Sequence, residues 1–199
     1  MDDKFFDLKK EKQDRILNGA LKIFALNGYK NGSTDVIVKE AGISKGLLFH
    51  YFGTKQELYR FLRDYSIRFL QLEIRSNVSA SETDYFTIWR QILASEESIM
   101  DQYPYMIAFL ESAETETDPD TFEPEDEKKK SRDVYSKALQ NADFVHINPE
   151  VDIKAIEEML HFTRNNVQRK LMFKDMMDAG IYVQQVSHYF DMMAKLTYV

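Results

Sequence analysis

The residues with the clearest chemical potential lie between Ser33 and Lys55, where two short helical segments are joined by Gly42-Ile43-Ser44. A glycine in so short a link can adopt the left-handed backbone that reverses the chain, so this spacing predicts a helix-turn-helix. Apolar side chains occupy the positions where the two segments must pack together and against a preceding helix. These positions are Ile37, Ala41, Ile43, Leu48 and Phe52.

The second segment predicts an outward surface that suits a nucleic-acid groove. The positions left outside the predicted packing are Lys45, Gly46, Leu47, Phe49, His50 and Tyr51. They combine a cation, a bare glycine backbone and aromatic rings with polar tips. A helix that carries such groups can approach base edges and phosphates in the major groove of DNA. The alternative is an inert packing unit in which Phe49 and Tyr51 belong to the core.

The rest of the chain predicts further helices and no sheet. Six of the seven glycines lie within the first 53 residues, and all four prolines follow them. This distribution favours short elements at the start and longer helices later. Apolar periodicity predicts helices over about 8–27, 34–41, 45–51, 54–77, 81–102, 105–114, 151–173 and 180–197. The strongly charged residues 114–130 are expected to form a solvated loop that leads into a surface helix.

Charge and composition restrict the partners and the compartment. The net charge is −7, yet residues 1–60 carry 11 Lys and Arg against 8 Asp and Glu, whereas the remainder carries 15 against 25. A polyanion is therefore expected to meet the beginning of the chain. The sequence has no cysteine, which fits a reducing cytoplasm. We expect no membrane partner, because the apolar runs are too short to span a bilayer and Met1–Lys4 lacks a signal-peptide pattern.

The segment resembles the helix-turn-helix of the TetR family of transcription regulators. The family pattern is Thr, Ile-Ala, Ala-Gly-Val-Ser, Gly-x-Leu-Tyr-x-His-Phe and Lys-x-x-Leu. The residues at these places are Thr34, Ile37-Val38, Ala41-Gly42-Ile43-Ser44, Gly46-Leu47-Leu48-Phe49-His50-Tyr51-Phe52 and Lys55-Gln56-Glu57-Leu58. The resemblance covers roughly residues 12–62, under a third of the chain. The sequence departs from the pattern at Phe49, where Tyr is usual, at Tyr51, where His is usual, and at Val38, where Ala is usual.

The resemblance implies an all-α fold with two domains and a set of DNA contacts. A three-helix DNA-binding domain over residues 1–55 would precede a helical effector-binding and dimerisation domain over residues 56–199. Thr34 and Lys55 would bind phosphates, and Lys45 would bind a phosphate or a guanine edge. The implied DNA-binding residues are Thr34, Ser44, Lys45, Gly46, Leu47, Phe49, His50, Tyr51 and Lys55.

The resemblance also implies a function, which is that of a repressor rather than an enzyme. Two copies, joined through the last two helices, would bind a pseudo-palindromic double-stranded operator and be released by a small-molecule effector of unknown identity. Ring-bearing and polar residues on apolar helices are candidates for the effector cavity, although each fits ordinary core equally well. They are Trp89, Tyr103, Phe109, His161 and Asn165. The apolar stripes of the last two helices fit either core or a subunit interface.

Two alternatives remain open from the sequence. One is a helical metal- or ligand-binding protein, or an enzyme, with an incidental helix-turn-helix. Glu158 and His161 have the Glu-x-x-His spacing of carboxylate iron sites, but such sites need a second copy that the sequence lacks. We therefore expect no metal and no cofactor, and place His161 in or near a pocket. The other alternative is a family member that has lost DNA binding, which the departure at Phe49 leaves open.

Overall fold

The chain folds into α-helices in the computed structural model, which describes residues 3–121 and 130–199. Within these ranges there are nine α-helices and no β-strand, so the predicted all-α class is confirmed. Short 3-10 turns occupy Asp3–Phe5 and Pro119–Thr121. The helices are α1 (Lys10–Asn31), α2 (Thr34–Ala41), α3 (Lys45–Phe52), α4 (Lys55–Asn77), α5 (Tyr85–Gln102), α6 (Met106–Glu114), α7 (Lys130–Ala138), α8 (Ile153–Phe173) and α9 (Ala179–Thr197).

The chain divides into two compact units. The head unit comprises Met1–Phe69 and Gln102–Ser131, and the body unit comprises Leu70–Asp101 and Arg132–Val199. Helix α4 contributes residues to both units. The domain boundary expected after residue 55 stays a prediction.

The core of the head unit is aromatic and joins α1, α4 and α6. Phe24 of α1 lies 5.0 Å, between ring centroids, from Tyr59 of α4. The Tyr59 ring in turn lies 5.2 Å from Phe109 of α6. Edge-to-face rings of this kind contribute beyond the area that they bury. These ring contacts pack α1 and α4, which precede and follow the helix-turn-helix, together with α6.

Helices α1 and α2 cross closely at a glycine. A Cβ atom on Gly19 would lie 3.2 Å from the backbone nitrogen of Ala41, so the two small residues allow the contact. Val38, where the family pattern has Ala, is only half-buried. The close contact of α1 and α2 is formed by Gly19 and Ala41.

Helix α1 extends beyond its predicted end at about residue 27. It continues to Asn31 across a break at Gly28, whose φ of 67° is accessible to glycine. Tyr29, beyond the predicted helix end, is buried and lies 5.2 Å from the Tyr59 ring. Burial of this ring explains why the chain stays packed after the break instead of leaving as a loop.

Side-chain caps set the starts of α4 and α5. Thr54 accepts a hydrogen bond from the Glu57 backbone N–H at 3.1 Å, which caps the start of α4. Helix α5 begins at Tyr85, later than the expected start at about residue 81. The reason is Asp84, whose carboxylate accepts from the Thr87 N–H at 2.7 Å and so caps the helix there.

In the body unit, α8 and α9 turn their periodic apolar residues mostly inward. Those of α8 are buried at Ile156, Leu160, Val167 and Leu171, so this stripe is core. In α9, Phe190 is buried, whereas Leu196 is 80% exposed, so core and subunit interface both stay open for this stripe. Among the described residues, none of the helices has the length and apolar character needed to cross a membrane.

Candidate nucleic-acid interface

The predicted turn between α2 and α3 is confirmed. Gly42 has φ 64° and ψ 41°, which is the left-handed conformation that ends α2. Its backbone N–H donates to the Lys39 carbonyl at 3.3 Å, and the Ile43 N–H donates to the Val38 carbonyl at 3.0 Å. The residues expected to pack the unit are buried at Ile37, Ala41, Leu48 and Phe52 and half-buried at Ile43. The turn therefore fixes the angle at which α3 leaves α2.

The first turn of α3 is capped and carries an exposed cation. Ser44 accepts from the Leu47 backbone N–H at 3.2 Å, which satisfies one free amide at the helix start. Lys45 is 49% exposed, and its Nζ lies 2.9 Å from a carboxylate oxygen of Asp35 on α2. Surface pairs of this type are weak, so Lys45 can exchange Asp35 for a phosphate or a base edge.

The outer face of α3 is open at its backbone. A Cβ atom added at Gly46 would meet no atom of the described residues within 4 Å. His50 is exposed, whereas Leu47 and Phe49 are half-buried. Thr34, the first residue of α2, is half-buried as well. The DNA contacts of these residues stay predictions, but the structure places all of them on two consecutive short helices.

Tyr51 does not lie on the outer face, and that expectation is wrong. Its side chain is 8% exposed and its ring lies 6.1 Å from Phe5. The 3-10 turn Asp3–Phe5 brings the fully buried Phe5 against the end of α3, where it also contacts Phe52 at 5.0 Å. The ring of Tyr51 is thus a core group, as the alternative interpretation held, and a DNA contact by this residue stays a prediction.

Lys55 begins α4 beside the end of α1. Its Nζ donates to the Lys30 carbonyl at 3.2 Å and lies 4.5 Å from the centre of the Tyr29 ring. A cation over a ring face is attracted electrostatically. Burial raises the pKa of Tyr29, and the nearby carboxylates of Asp120 and Asp118 raise it further. Phosphate binding by Lys55 stays a prediction.

The candidate effector residues are divided between the two units. Tyr103 and Phe109 belong to the head unit, whereas Trp89, His161 and Asn165 belong to the body unit. Tyr103 is fully buried, and its hydroxyl donates to the Asp14 carboxylate at 2.8 Å. Burial and these contacts raise the pKa of Tyr103 well above its ordinary value. Effector binding by the five residues stays a prediction.

Sequence reasoning missed a buried charged group, which we call the Glu96 cluster: Glu96, Tyr135, Arg164 and Tyr182. Glu96 and Arg164 form an ion pair with almost no exposure. The Tyr135 hydroxyl donates to one carboxylate oxygen at 2.8 Å and the Tyr182 hydroxyl to the other at 2.7 Å. Burial, followed by the charge of Glu96, raises the pKa of Tyr182. The sequence feature that could have revealed this cluster is Arg164, a charged residue among the apolar positions of α8.

The Glu-x-x-His spacing on α8 does not bring metal-binding side chains together. Glu158 is exposed, and the His161 ring lies 3.2 Å from the Asn165 amide nitrogen. Across residues 3–121 and 130–199, no three His, Asp or Glu side chains are grouped to hold a metal ion.

Comparison with known proteins relates the helix-turn-helix to one protein family. The family model "Bacterial regulatory proteins, tetR family" matches residues 16–61, which contain the helix-turn-helix. The transcriptional repressor AcnR of Corynebacterium glutamicum is 30% identical over 109 residues, which cover 54% of this chain and 52% of AcnR. The chain spans no more than about half the length of the curated relatives that it matches.

Solved structures match the fold over the whole chain. A TetR family transcriptional regulator from Chloroflexus aurantiacus has a TM-score of 0.67 and 21% identity, covering 100% of this chain and 98% of that one. A gamma-butyrolactone receptor has a TM-score of 0.59 and 15% identity, covering 96% of this chain and 90% of that one. The helix-turn-helix matches the family's model, and the helices that follow have the fold of its solved members. Residues 16–61 are therefore similar to the DNA-binding region of the TetR family of bacterial regulatory proteins, and the whole chain has the fold of its solved members.

Proposed function

We propose that this chain is a ligand-responsive transcription regulator, a cytoplasmic repressor that binds DNA through α3. The observation that carries the proposal is the exposed first turn of α3, set by the left-handed Gly42 within the region that the family model matches. Lys45 and the bare backbone of Gly46 lie on this turn. A helix with these features can enter the major groove while the start of α2 approaches the phosphates.

The operator is pseudo-palindromic because the protein acts as a homodimer. Helices α8 and α9 carry exposed apolar side chains in addition to their buried stripes. A large exposed apolar surface favours contact with a second copy of the chain. Twofold symmetry then places the same residues on both sides of the subunit interface. The residues of this outward apolar surface are Met159, Phe162, Phe173, Tyr189, Met192 and Leu196.

A small-molecule effector releases the repressor from its operator. Support comes from the names of two similar proteins: AcnR is a repressor, and one structural neighbour is a gamma-butyrolactone receptor. The effector acts by preferring the conformation in which the spacing of the two heads does not fit the half-sites. Helix α4 is suited to transmit this change, because it contributes residues to both units.

The experiment that tests the proposal is selection of bound fragments from the source genome by the purified full chain. We expect enrichment of one pseudo-palindromic sequence whose affinity falls steeply as salt rises, since phosphate contacts release counterions. Addition of candidate small molecules to the selected complex then identifies the effector. Failure to enrich any sequence, with retention that salt does not change, would contradict DNA binding.

A further inference from the structure

The helix α3 is short and is held by few side chains. Among its residues Leu48, Tyr51 and Phe52 are buried, and the others are exposed or half-buried. An isolated helix of eight residues is not stable in water, so packing of the buried side chains must fix it. Gly42 sets the direction of the first turn. The position of the last turn therefore depends on what packs against Tyr51 and Phe52.

The ring that packs against this last turn belongs to Phe5, which precedes α1. Phe5 is fully buried, and its ring centroid lies 5.5 Å from that of Phe61 on α4, in addition to its contacts with Tyr51 and Phe52. The Phe52 and Phe61 rings are themselves 5.1 Å apart. We call these four residues the Phe5 cluster. Aromatic side chains contribute strongly to core packing, so the cluster joins the end of α3 to α4.

Hydrogen bonds to α1 hold Phe5 in place. The Gln13 side-chain amide of α1 donates to the Phe6 carbonyl at 3.0 Å and to the Leu8 carbonyl at 2.8 Å. The Leu8 N–H in turn donates to the Phe5 carbonyl at 3.3 Å. The residues before α1 are therefore fixed to that helix, and Phe5 transmits its position to the last turn of α3.

Tyr51 links the buried Phe5 ring to the outer face of α3. Its side chain is 8% exposed, and its ring lies 5.3 Å from the ring of the exposed His50. His50 is one of the predicted DNA-binding residues. A shift of the last turn would therefore move a side chain that is expected to face the DNA.

We propose that Phe5 is a positioning residue for DNA recognition, which holds the last turn of α3 through Tyr51 and Phe52. The inference rests on the proposed function, because it assumes that α3 reads the operator. Readout of base edges requires accurately placed side chains, whereas attraction to phosphates is general and tolerates small shifts. Loss of the Phe5 ring should therefore reduce the preference for the operator over other DNA and should change the affinity for random DNA little.

The first test compares Phe5→Ala with the wild-type full chain on the selected operator and on a scrambled duplex of equal length. Fluorescence anisotropy, measured below the melting temperature of each variant, gives both affinities. We expect the ratio of the two affinities to fall at least about tenfold in Phe5→Ala, as for the loss of one good base contact. Affinity for the scrambled duplex should stay within about twofold. An unchanged ratio, or an equal loss of affinity for both duplexes, would overturn the proposal.

Further variants separate positioning from a general loss of packing. Phe5→Leu keeps a large apolar side chain and should restore the ratio to within about threefold of the wild-type value. Phe6→Ala removes a neighbouring ring that is 48% exposed, and it should leave the ratio within about twofold. An equal fall in Phe6→Ala would show that Phe5 has no specific role. If Phe5→Ala does not fold, Phe5→Val replaces it with an expected fall of at least about threefold, and an unchanged ratio there overturns the proposal.

The second test needs no DNA and measures hydrogen exchange in the same variant. The Gly53 N–H donates to the Phe49 carbonyl at 2.8 Å and closes the last turn of α3. We expect this amide to exchange at least about tenfold faster without the Phe5 ring. The Ile37 N–H of α2, which donates to the Ser33 carbonyl at 3.0 Å, should change by less than about twofold. Equal acceleration of both amides would show general destabilisation and would contradict the positioning role.

The outcomes keep this proposal apart from the proposed function. If the wild type selects an operator but the affinity ratio does not depend on Phe5, only the positioning role is lost. If the wild type selects no operator, the repressor function is lost, and the exchange measurement alone decides whether Phe5 fixes the last turn of α3.

Discussion

The Glu116 carboxylate accepts a hydrogen bond from the backbone N–H of Tyr29 at 2.7 Å, directly after the break in α1 at Gly28. The break removes the regular helical acceptor for this N–H, and the segment after α6 supplies a replacement. The Gln56 side chain adds a second link by donating to the Asp120 carbonyl. The segment after α6 is therefore fastened to α1 and α4 on the head unit, beside the candidate phosphate-binding Lys55.

Removal of the Glu116 carboxylate should loosen the end of α1. We expect Glu116→Ala to lower the free energy of unfolding by about 1–3 kcal/mol, because the buried Tyr29 N–H loses its acceptor. Hydrogen exchange of the Tyr29 amide should accelerate. Glu116→Gln keeps an acceptor and should lose less protection. Equal exchange rates in the wild type and in Glu116→Ala would show that this hydrogen bond does not hold the helix end.

Removal of the Asp35 charge should strengthen DNA binding. Asp35 pairs with Lys45 in the free protein and would repel nearby phosphates in the complex. We expect Asp35→Asn to raise affinity by about threefold to tenfold at low salt, with a smaller gain at high salt. Fluorescence anisotropy with a selected operator measures the change. Asp101→Asn, on the exposed end of α5, controls for net charge. A weaker complex in Asp35→Asn alone would mean that Asp35 positions Lys45 for binding.

Breaking the ion pair of the Glu96 cluster should destabilise the body unit strongly. Glu96→Gln leaves the Arg164 guanidinium buried without a counter-charge, which typically costs about 3–5 kcal/mol. Urea unfolding measures this loss. The neighbouring Glu97 is half-exposed, so Glu97→Gln should change stability by less than about 0.5 kcal/mol. Equal stabilities for the two variants would show that the pair contributes nothing to the fold.

A charge on the outward apolar surface should separate the proposed dimer. Phe162 on α8 is 64% exposed in the single chain. Phe162→Glu would bury a carboxylate without a partner in the subunit interface, and we expect at least about a hundredfold weaker association. Analytical ultracentrifugation gives the assembly state. Val145→Glu places the same charge on an exposed apolar residue outside α8 and α9 and should leave the dimer intact. A dimer unaffected by Phe162→Glu would place the interface elsewhere.

The helix-turn-helix was predictable because its signals are local. The turn at Gly42 depends on residues within one turn of the helix, and this prediction is confirmed. The caps at Ser44 and Thr54 are equally local. Packing of Ile37 and Leu48 follows from spacing alone. Such features need no knowledge of distant parts of the chain.

The errors arose where contacts connect residues far apart in the sequence. Tyr51 was expected outside because nothing near it shows that Phe5 covers it. Helix α1 was expected to end at about residue 27, although contacts of Tyr29 with Tyr59 and Glu116 keep the following residues packed. Glu96 lies beside Glu97 and has the local sequence pattern of a solvated helix. Its burial depends on the ion pair with Arg164, and no spacing rule connects these two residues.

The most direct measurement of the central claim is the operator affinity of Lys45→Ala and Thr34→Ala dimers, beside Lys154→Ala as a control. Lys45→Ala should weaken binding by at least about tenfold, and Thr34→Ala should weaken it about equally for all DNA sequences. Lys154 is exposed on α8, so its loss should leave affinity within about twofold. If all three variants bind the operator as tightly as the wild type does, α2 and α3 are not the DNA-binding surface.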